Sequence, residues 1–72
     1  MKNYYHILGL SFESTPEKQL IEAAYKALVK IYHPDVYKGE KKTLNRKISE
    51  INEAFDILGN LKKKEVYDEE LK

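Results

Sequence analysis

The stretch PEKQLIEAAYKALVKIYHPDVYKGEKKTLNRKISEINEAFDIL, residues 16–58, decides the fold. Apolar side chains recur in it at Ile21, Ala24, Tyr25, Leu28, Val29 and Tyr32, in steps of three and four that line one face of a helix. After an interruption they recur at Leu44, Ile48, Ile51, Phe55 and Leu58, again in steps of four and three, which makes a seam for the first arm to pack on. Two helices of about 17 residues, each about 25 Å long, joined by one loop predict a helical hairpin with antiparallel arms.

The ends of the first arm are marked. Thr15 is placed to cap, Pro16 suits the first helical position and Glu17 complements the positive end of the helix dipole; Ser14 with Glu17 offers an alternative capping box. His33 precedes Pro34, and a residue before proline is pushed out of the helical region, so this arm is expected to stop near Tyr32. Gly59 and Asn60 supply the break after the second arm. Working outward, Tyr5, Leu8 and Leu10 predict a short helix over residues 4–10 that covers one side of the hairpin, and residues 61–71 predict another that packs through Leu61 and Val66. No strand-like alternation and no internal repeat is visible. The expectation is an all-α single domain over residues 1–72, with helices near 4–10, 16–32, 42–58 and 61–70 and a loop over 33–41.

Composition narrows the function. A chain of 72 residues buries only about 60% of the surface it exposes when unfolded, which argues against a large catalytic cleft. Cysteine is absent, so there is no disulfide framework, zinc knuckle or thiol nucleophile. His6 and His33 lie far apart without further ligands, so neither a metal nor a cofactor is expected. No apolar run approaches the roughly 20 residues that span a bilayer, and there is no signal-peptide core, so the expected compartment is the cytoplasm. The net charge of +1 gives no global drive towards nucleic acid, but its distribution is uneven. Lys38, Lys41, Lys42, Arg46 and Lys47 oppose only Glu40; Lys62, Lys63 and Lys64 stand in a row; Glu65, Asp68, Glu69 and Glu70 follow.

The turn carries His33, Pro34 and Asp35 directly after the amphipathic arm, where the proline fixes one backbone torsion and restricts the imidazole and carboxylate that flank it. Taken alone, the tripeptide also reads as a helix-terminating turn. Its setting adds four more blocks in order: Tyr4-Tyr5-His6-Ile7-Leu8-Gly9, Ala24-Tyr25-Lys26-Ala27-Leu28, Ile51-Asn52-Glu53-Ala54-Phe55, and Lys63-Lys64 followed by Tyr67-Asp68. With Tyr32-His33-Pro34-Asp35 these resemble the J-domain of the DnaJ-type (heat-shock protein 40-type) co-chaperones over nearly the whole chain.

The resemblance implies a small four-helix fold in which the second and third helices form the hairpin and the His-Pro-Asp loop is exposed. It also implies a function: binding the ATP-bound form of a DnaK-type (heat-shock protein 70-class) chaperone and stimulating its ATP hydrolysis, with no bond broken by the domain itself. On that reading Asp35 accepts a charge-assisted hydrogen bond from a partner arginine, His33 orients the loop or donates to a partner carbonyl, and Lys26 and Lys30 steer the second helix to an acidic surface. Tyr25 and Lys62, Lys63 and Lys64 complete the expected partner-binding set, and the domain is expected to be monomeric. The chain departs from the family at Glu22, Ala23 and Ala27, where basic residues are usual, so the steering face is thinned and Lys62 to Lys64 are candidates to compensate. The glycine/phenylalanine-rich linker and zinc-binding region of the fullest family members are absent, which fits an excised domain or a minimal protein.

Two alternatives of other kinds remain from the residues: a basic helical nucleic-acid binder using Lys38 to Lys47 and Lys62 to Lys64, and a J-like scaffold that recruits a partner without stimulating it. The cationic cluster from Lys38 to Lys47 otherwise reads as a solvated loop and helix start. Tyr25, Tyr32 and Tyr67 read as half-buried aromatics with wet hydroxyls in preference to base-stacking platforms. An enzyme with His33 as base and Asp35 as its orienter is disfavoured, because two residues separated by a proline do not readily set a carboxylate on the ring as a catalytic triad does.

Overall fold

The structure, a computed structural model, describes residues 3–14 and 16–71. Four α-helices follow one another: α1 (Tyr4–Ile7), α2 (Lys18–Ile31), α3 (Lys41–Leu58) and α4 (Leu61–Leu71), with a 3-10 turn at Phe12–Ser14 and no strand among the described residues. The protein is therefore all-α. α3 is the central rod, packed against α1, α2 and α4.

The first helix is shorter than its apolar pattern suggests, ending at Ile7 and not at Leu10. Gly9 is the reason. It adopts φ +75°, its N–H donates to the His6 carbonyl (2.9 Å), and the Leu10 N–H reaches back to the Tyr5 carbonyl (2.7 Å). This is a Schellman stop, which needs a residue free to enter the left-handed region. Leu8, on the cap, is buried, so the turn serves packing as well as chain reversal. At the other end, the Asn3 side chain accepts from the His6 N–H (3.1 Å) as an N-cap.

α2 starts at Lys18, later than the expected 16, because Pro16 is buried ahead of the helix instead of opening it. Glu17 occupies the N-cap position and makes no side-chain capping bond; Thr15 lies outside the described residues. α2 closes at Ile31, with the Tyr32 N–H still bonded to Leu28 (2.9 Å). α3 begins at Lys41, one residue earlier than expected, and Gly59 closes it by donating to Phe55 (2.7 Å). Asn60, read from sequence as part of a break, opens the next helix: its side chain accepts from the Lys63 N–H (3.1 Å). α4 then runs from Leu61 to Leu71.

The core joins Tyr5, Leu8, Ile21, Ile51, Ala54, Leu58 and Tyr67. Ile21 lies in the first turn of α2 and the other hairpin members in the second half of α3, so the core fills the base of the hairpin, away from the loop. The expectation that α4 packs through Leu61 and Val66 is corrected here: they are 74% and 63% exposed. Tyr67 faces inward with Lys64, Asp68 and Leu71 beside it, positions three and four apart that share one helical face. At this register Val66 falls on another face of the helix, and Leu61, the first residue of α4, is exposed at the helix end.

Candidate partner-binding loop

α2 ends because Pro34 forbids another helical turn, and the backbone then folds on His33. Its carbonyl accepts from the N–H of both Val36 (2.9 Å) and Tyr37 (2.8 Å), so a single acceptor anchors the turn. The Asp35 N–H donates to His33 Nδ1 at 3.1 Å. A ring nitrogen that accepts a hydrogen bond carries no proton, so in this geometry the neutral imidazole has its proton on Nε2.

The Asp35 carboxylate stands 3.7 Å from His33 Nδ1, beyond hydrogen-bonding range and towards a nitrogen already occupied. Its side chain is 90% exposed and that of His33 52%. The loop thus presents a carboxylate with no internal hydrogen bond among the described residues, on a backbone tied to His33 through the N–H groups of Asp35, Val36 and Tyr37. The approach of carboxylate to ring is closer than the sequence suggests, but it lacks the aligned bond by which a triad orients its base.

Beneath the loop, α2 and α3 are cross-linked. The Tyr25 ring stacks on Phe55, centroids 4.1 Å apart and planes 13° from parallel, and the Tyr25 hydroxyl donates to Asn52 Oδ1 (3.0 Å). Tyr25 is half-buried, with its ring and hydroxyl both engaged inside the molecule. A groove of about 240 Å³ lies between the arms here, running from Tyr25 and Asn52 past Val29 and Ile48 to His33 and Pro34.

Lys26 and Lys30 are exposed on α2, one turn apart, and form no ion pair among the described residues. Lys30 lies in the last turn, adjoining the loop. Glu22 is half-buried on the same line, and Ala23 and Ala27 are exposed.

The lysine row is elsewhere. Lys62, Lys63 and Lys64 follow the C-terminal end of α3 and open α4, whereas His33 and Pro34 line the groove beside Ile48, Ile51 and Asn52 in the middle of α3, so the row and the loop occupy different parts of the domain. Two of the three are also engaged: Lys63 pairs with Asp56 (3.0 Å) and Lys64 with Asp68 (2.8 Å). Lys64 belongs to a cluster that ties α4 to α1. Tyr5 donates to the second oxygen of Asp68 (2.5 Å), and the Tyr4 N–H donates to the Tyr67 hydroxyl (2.8 Å). Burial, reinforced by the bond to Asp68, pushes the Tyr5 hydroxyl above the usual tyrosine value; the bond to Asp68 raises Lys64 against the opposing effect of its own desolvation. No group of residues that could hold a metal ion occurs among the described residues, and none of their helices is long and apolar enough to cross a membrane.

Three contacts had no sequence signal. Asn52, which holds Tyr25, is 27 residues away from it. Tyr37 reads as an ordinary loop residue, yet its ring packs on Tyr32 with centroids 5.7 Å apart. The link from Tyr5 to Asp68 spans 63 residues.

A helical hairpin that presents a proline-stiffened His-Pro-Asp loop, braced at its base by two shorter helices, defines a class of small helical interaction module. The sequence pattern of the DnaJ domain matches residues 3–68, and the chain belongs to that family. It is 43% identical over 68 residues to a curved DNA-binding protein of Pseudomonas putida (strain W619), covering 94% of this chain and 20% of that protein. A chaperone protein DnaJ of Hydrogenobacter thermophilus is 43% identical over 72 residues, covering 100% of this chain and 19% of that protein. Another, of Caldicellulosiruptor bescii, is 43% identical over 68 residues, 94% of this chain and 17% of that protein. The chain spans about a fifth or less of the length of these curated relatives.

Proposed function

We propose that this chain is a co-chaperone module that binds the ATP-bound form of a DnaK-type chaperone and stimulates its ATP hydrolysis, itself breaking no bond. The observation that carries the reading is the Asp35 carboxylate, 90% exposed on a loop whose backbone is anchored twice on His33. A charge-assisted bond from a partner arginine to such a group forms without first breaking an internal hydrogen bond or ordering a flexible chain. His33, with about half of its side chain exposed, supplies a ring N–H donor beside it. Pro34 fixes the corner, and Lys26 and Lys30 supply steering charge on the adjoining arm. Tyr25 acts indirectly, by holding α2 and α3 together under the loop. The stimulating effect requires that the loop bind one state of the partner better than the other, since only differential affinity shifts an equilibrium.

The pairing of Lys63 with Asp56 and of Lys64 with Asp68 weighs against a nucleic-acid interface built on the lysine row, and it also weakens that row as a substitute for basic residues missing from α2. The test is single-turnover ATP hydrolysis by a DnaK-type chaperone with the wild-type chain, Asp35→Asn and His33→Gln. Stimulation by the wild type and its loss in both variants, with helical circular dichroism intact, is expected. Wild-type stimulation in Asp35→Asn would overturn the assignment, and duplex binding at low salt that is lost on replacing Lys62 to Lys64 but kept in Asp35→Asn would favour the nucleic-acid reading. A partner that binds without faster hydrolysis would leave the recruiting scaffold.

A further inference from the structure

We infer that Tyr37 is a positioning residue for the His-Pro-Asp loop, and that Gly39 is there to admit its ring. The Tyr37 N–H donates to the His33 carbonyl (2.8 Å), so the residue is bonded to the base of the turn, and its ring meets Tyr32 at 5.7 Å between centroids and 40° between planes. Tyr32 in turn packs against the core. A continuous line therefore runs from the core through Tyr32 and Tyr37 to the carbonyl that anchors the loop.

On its other side the ring lies over Gly39. A Cβ at Gly39 would stand 2.6 Å from the Tyr37 hydroxyl oxygen and 2.7 Å from its Cε2 and Cζ, far inside contact distance. Among the described glycines only Gly9 has a positive φ, so the backbone at Gly39 does not itself call for glycine. The space taken by the ring does. The clashing atoms are at the far end of a side chain that is free to rotate, so a methyl at Gly39 displaces the ring without unfolding the domain. The displaced ring leaves Tyr32, and the C-terminal limb of the loop loses the ring contact that ties it to the end of the first arm. The Tyr37 hydroxyl makes no hydrogen bond among the described residues, so the effect belongs to the ring and not to its oxygen.

The loop geometry stands independently of the proposed function; its consequence for a partner rests on that reading. The test uses this chain with Gly39→Ala, Tyr37→Ala, Tyr37→Phe and the Tyr37→Ala/Gly39→Ala pair, read in two ways. By NMR, Gly39→Ala is expected to abolish the nuclear Overhauser contact between the Tyr32 and Tyr37 rings, to move the Asp35 amide resonance and to speed that amide's exchange with solvent. In stimulation of a DnaK-type chaperone, the half-saturating concentration is expected to rise about three- to tenfold, the scale of one lost aromatic contact. The melting temperature shifts by less than about 2 °C. Tyr37→Ala behaves likewise, Tyr37→Phe matches the wild type, and the double variant is no worse than Tyr37→Ala, because the methyl then meets no ring.

An unchanged ring contact and Asp35 amide in Gly39→Ala overturns the inference, and so does a loss in the double variant equal to the product of the single losses. If Gly39→Ala fails to fold, Tyr37→Ala against Tyr37→Phe makes the same comparison, and equal behaviour of those two overturns it. If the wild-type chain stimulates no chaperone, the proposed function fails while the resonances still decide the positioning role.

Discussion

At the base of the hairpin Tyr5, Leu58 and Tyr67 are buried together, and Tyr5, Asp68 and Lys64 form a closed set of hydrogen bonds that fastens the two ends of the chain. At the tip no side chain from Pro34 to Asp35 is even half-buried, and what is fixed there is the backbone. Both regions are ordered, but by different means: the base by removing apolar surface from water, the tip by proline, two bonds to one carbonyl and a pair of rings. On the proposed function, the difference teaches that stability and recognition are held in separate parts of a domain too small to keep a reserve of either. A side chain that must meet a partner cannot also be buried, so the anchoring has passed to its backbone.

Substitutions should therefore sort by region. The largest stability effect is expected for Leu58→Ala, a fully buried side chain at the meeting point of α3 and α4, with a loss of about 2–5 kcal/mol through the cavity left behind. Urea titration followed by circular dichroism measures it, and an unshifted midpoint would break the idea that stability resides at the base. Next comes Tyr5→Phe, which keeps the ring but removes the donor to Asp68, at about 1–2 kcal/mol. It has a pH signature. The folded values of Tyr5 and Lys64 both lie above their ordinary 10.0 and 10.5, so the stability they contribute is fully present below pH 10 and is lost as pH climbs through the raised values. Wild-type melting temperature should thus fall above pH 10, and Tyr5→Phe should fall less steeply over the same interval.

Tyr25→Phe frees Asn52 from its partner at a partly exposed site and should cost about 0.5–1 kcal/mol, while retaining the stack on Phe55. It sharpens the comparison, because it touches the region between base and tip: a modest loss in stability with a modest loss in chaperone stimulation is expected, read by melting and ATPase assay on one preparation. The smallest stability effect is expected for Asp35→Asn, under about 0.5 kcal/mol at an exposed site, whereas on the proposed function its effect on stimulation is expected to be the largest of all. A clear drop in melting temperature on removing that charge would mean that the tip contributes to holding the domain together and that the two regions are not separate.

Much of the fold was legible. The two stripes on residues 21–32 and 44–58 give the hairpin because side chains three and four apart share a helical face whatever surrounds them. The His-Pro-Asp turn was legible because proline acts on its own neighbours. The short helices were less so. The end of α1 at Ile7 turned on Gly9 entering the left-handed region, a signal present in the sequence but outweighed in reading by the apolar residues around it. α4 was misread in its facing, since Leu61 and Val66 are the more apolar residues but Tyr67 buries more surface and gives its hydroxyl to the start of α1.

The sequence by itself determined the helical class, the hairpin, the position of its loop and the constrained tripeptide on it, all of which follow from periodicity and local torsions within a few residues. Only the tertiary structure decided that two of the three lysines in the row are engaged, by Asp56 and Asp68. It alone decided that Asn52 holds Tyr25 and that Tyr37 rests between Tyr32 and Gly39. Contacts of this kind depend on how far one rod reaches past another and on which face it turns inward, quantities that arise only when the arms pack.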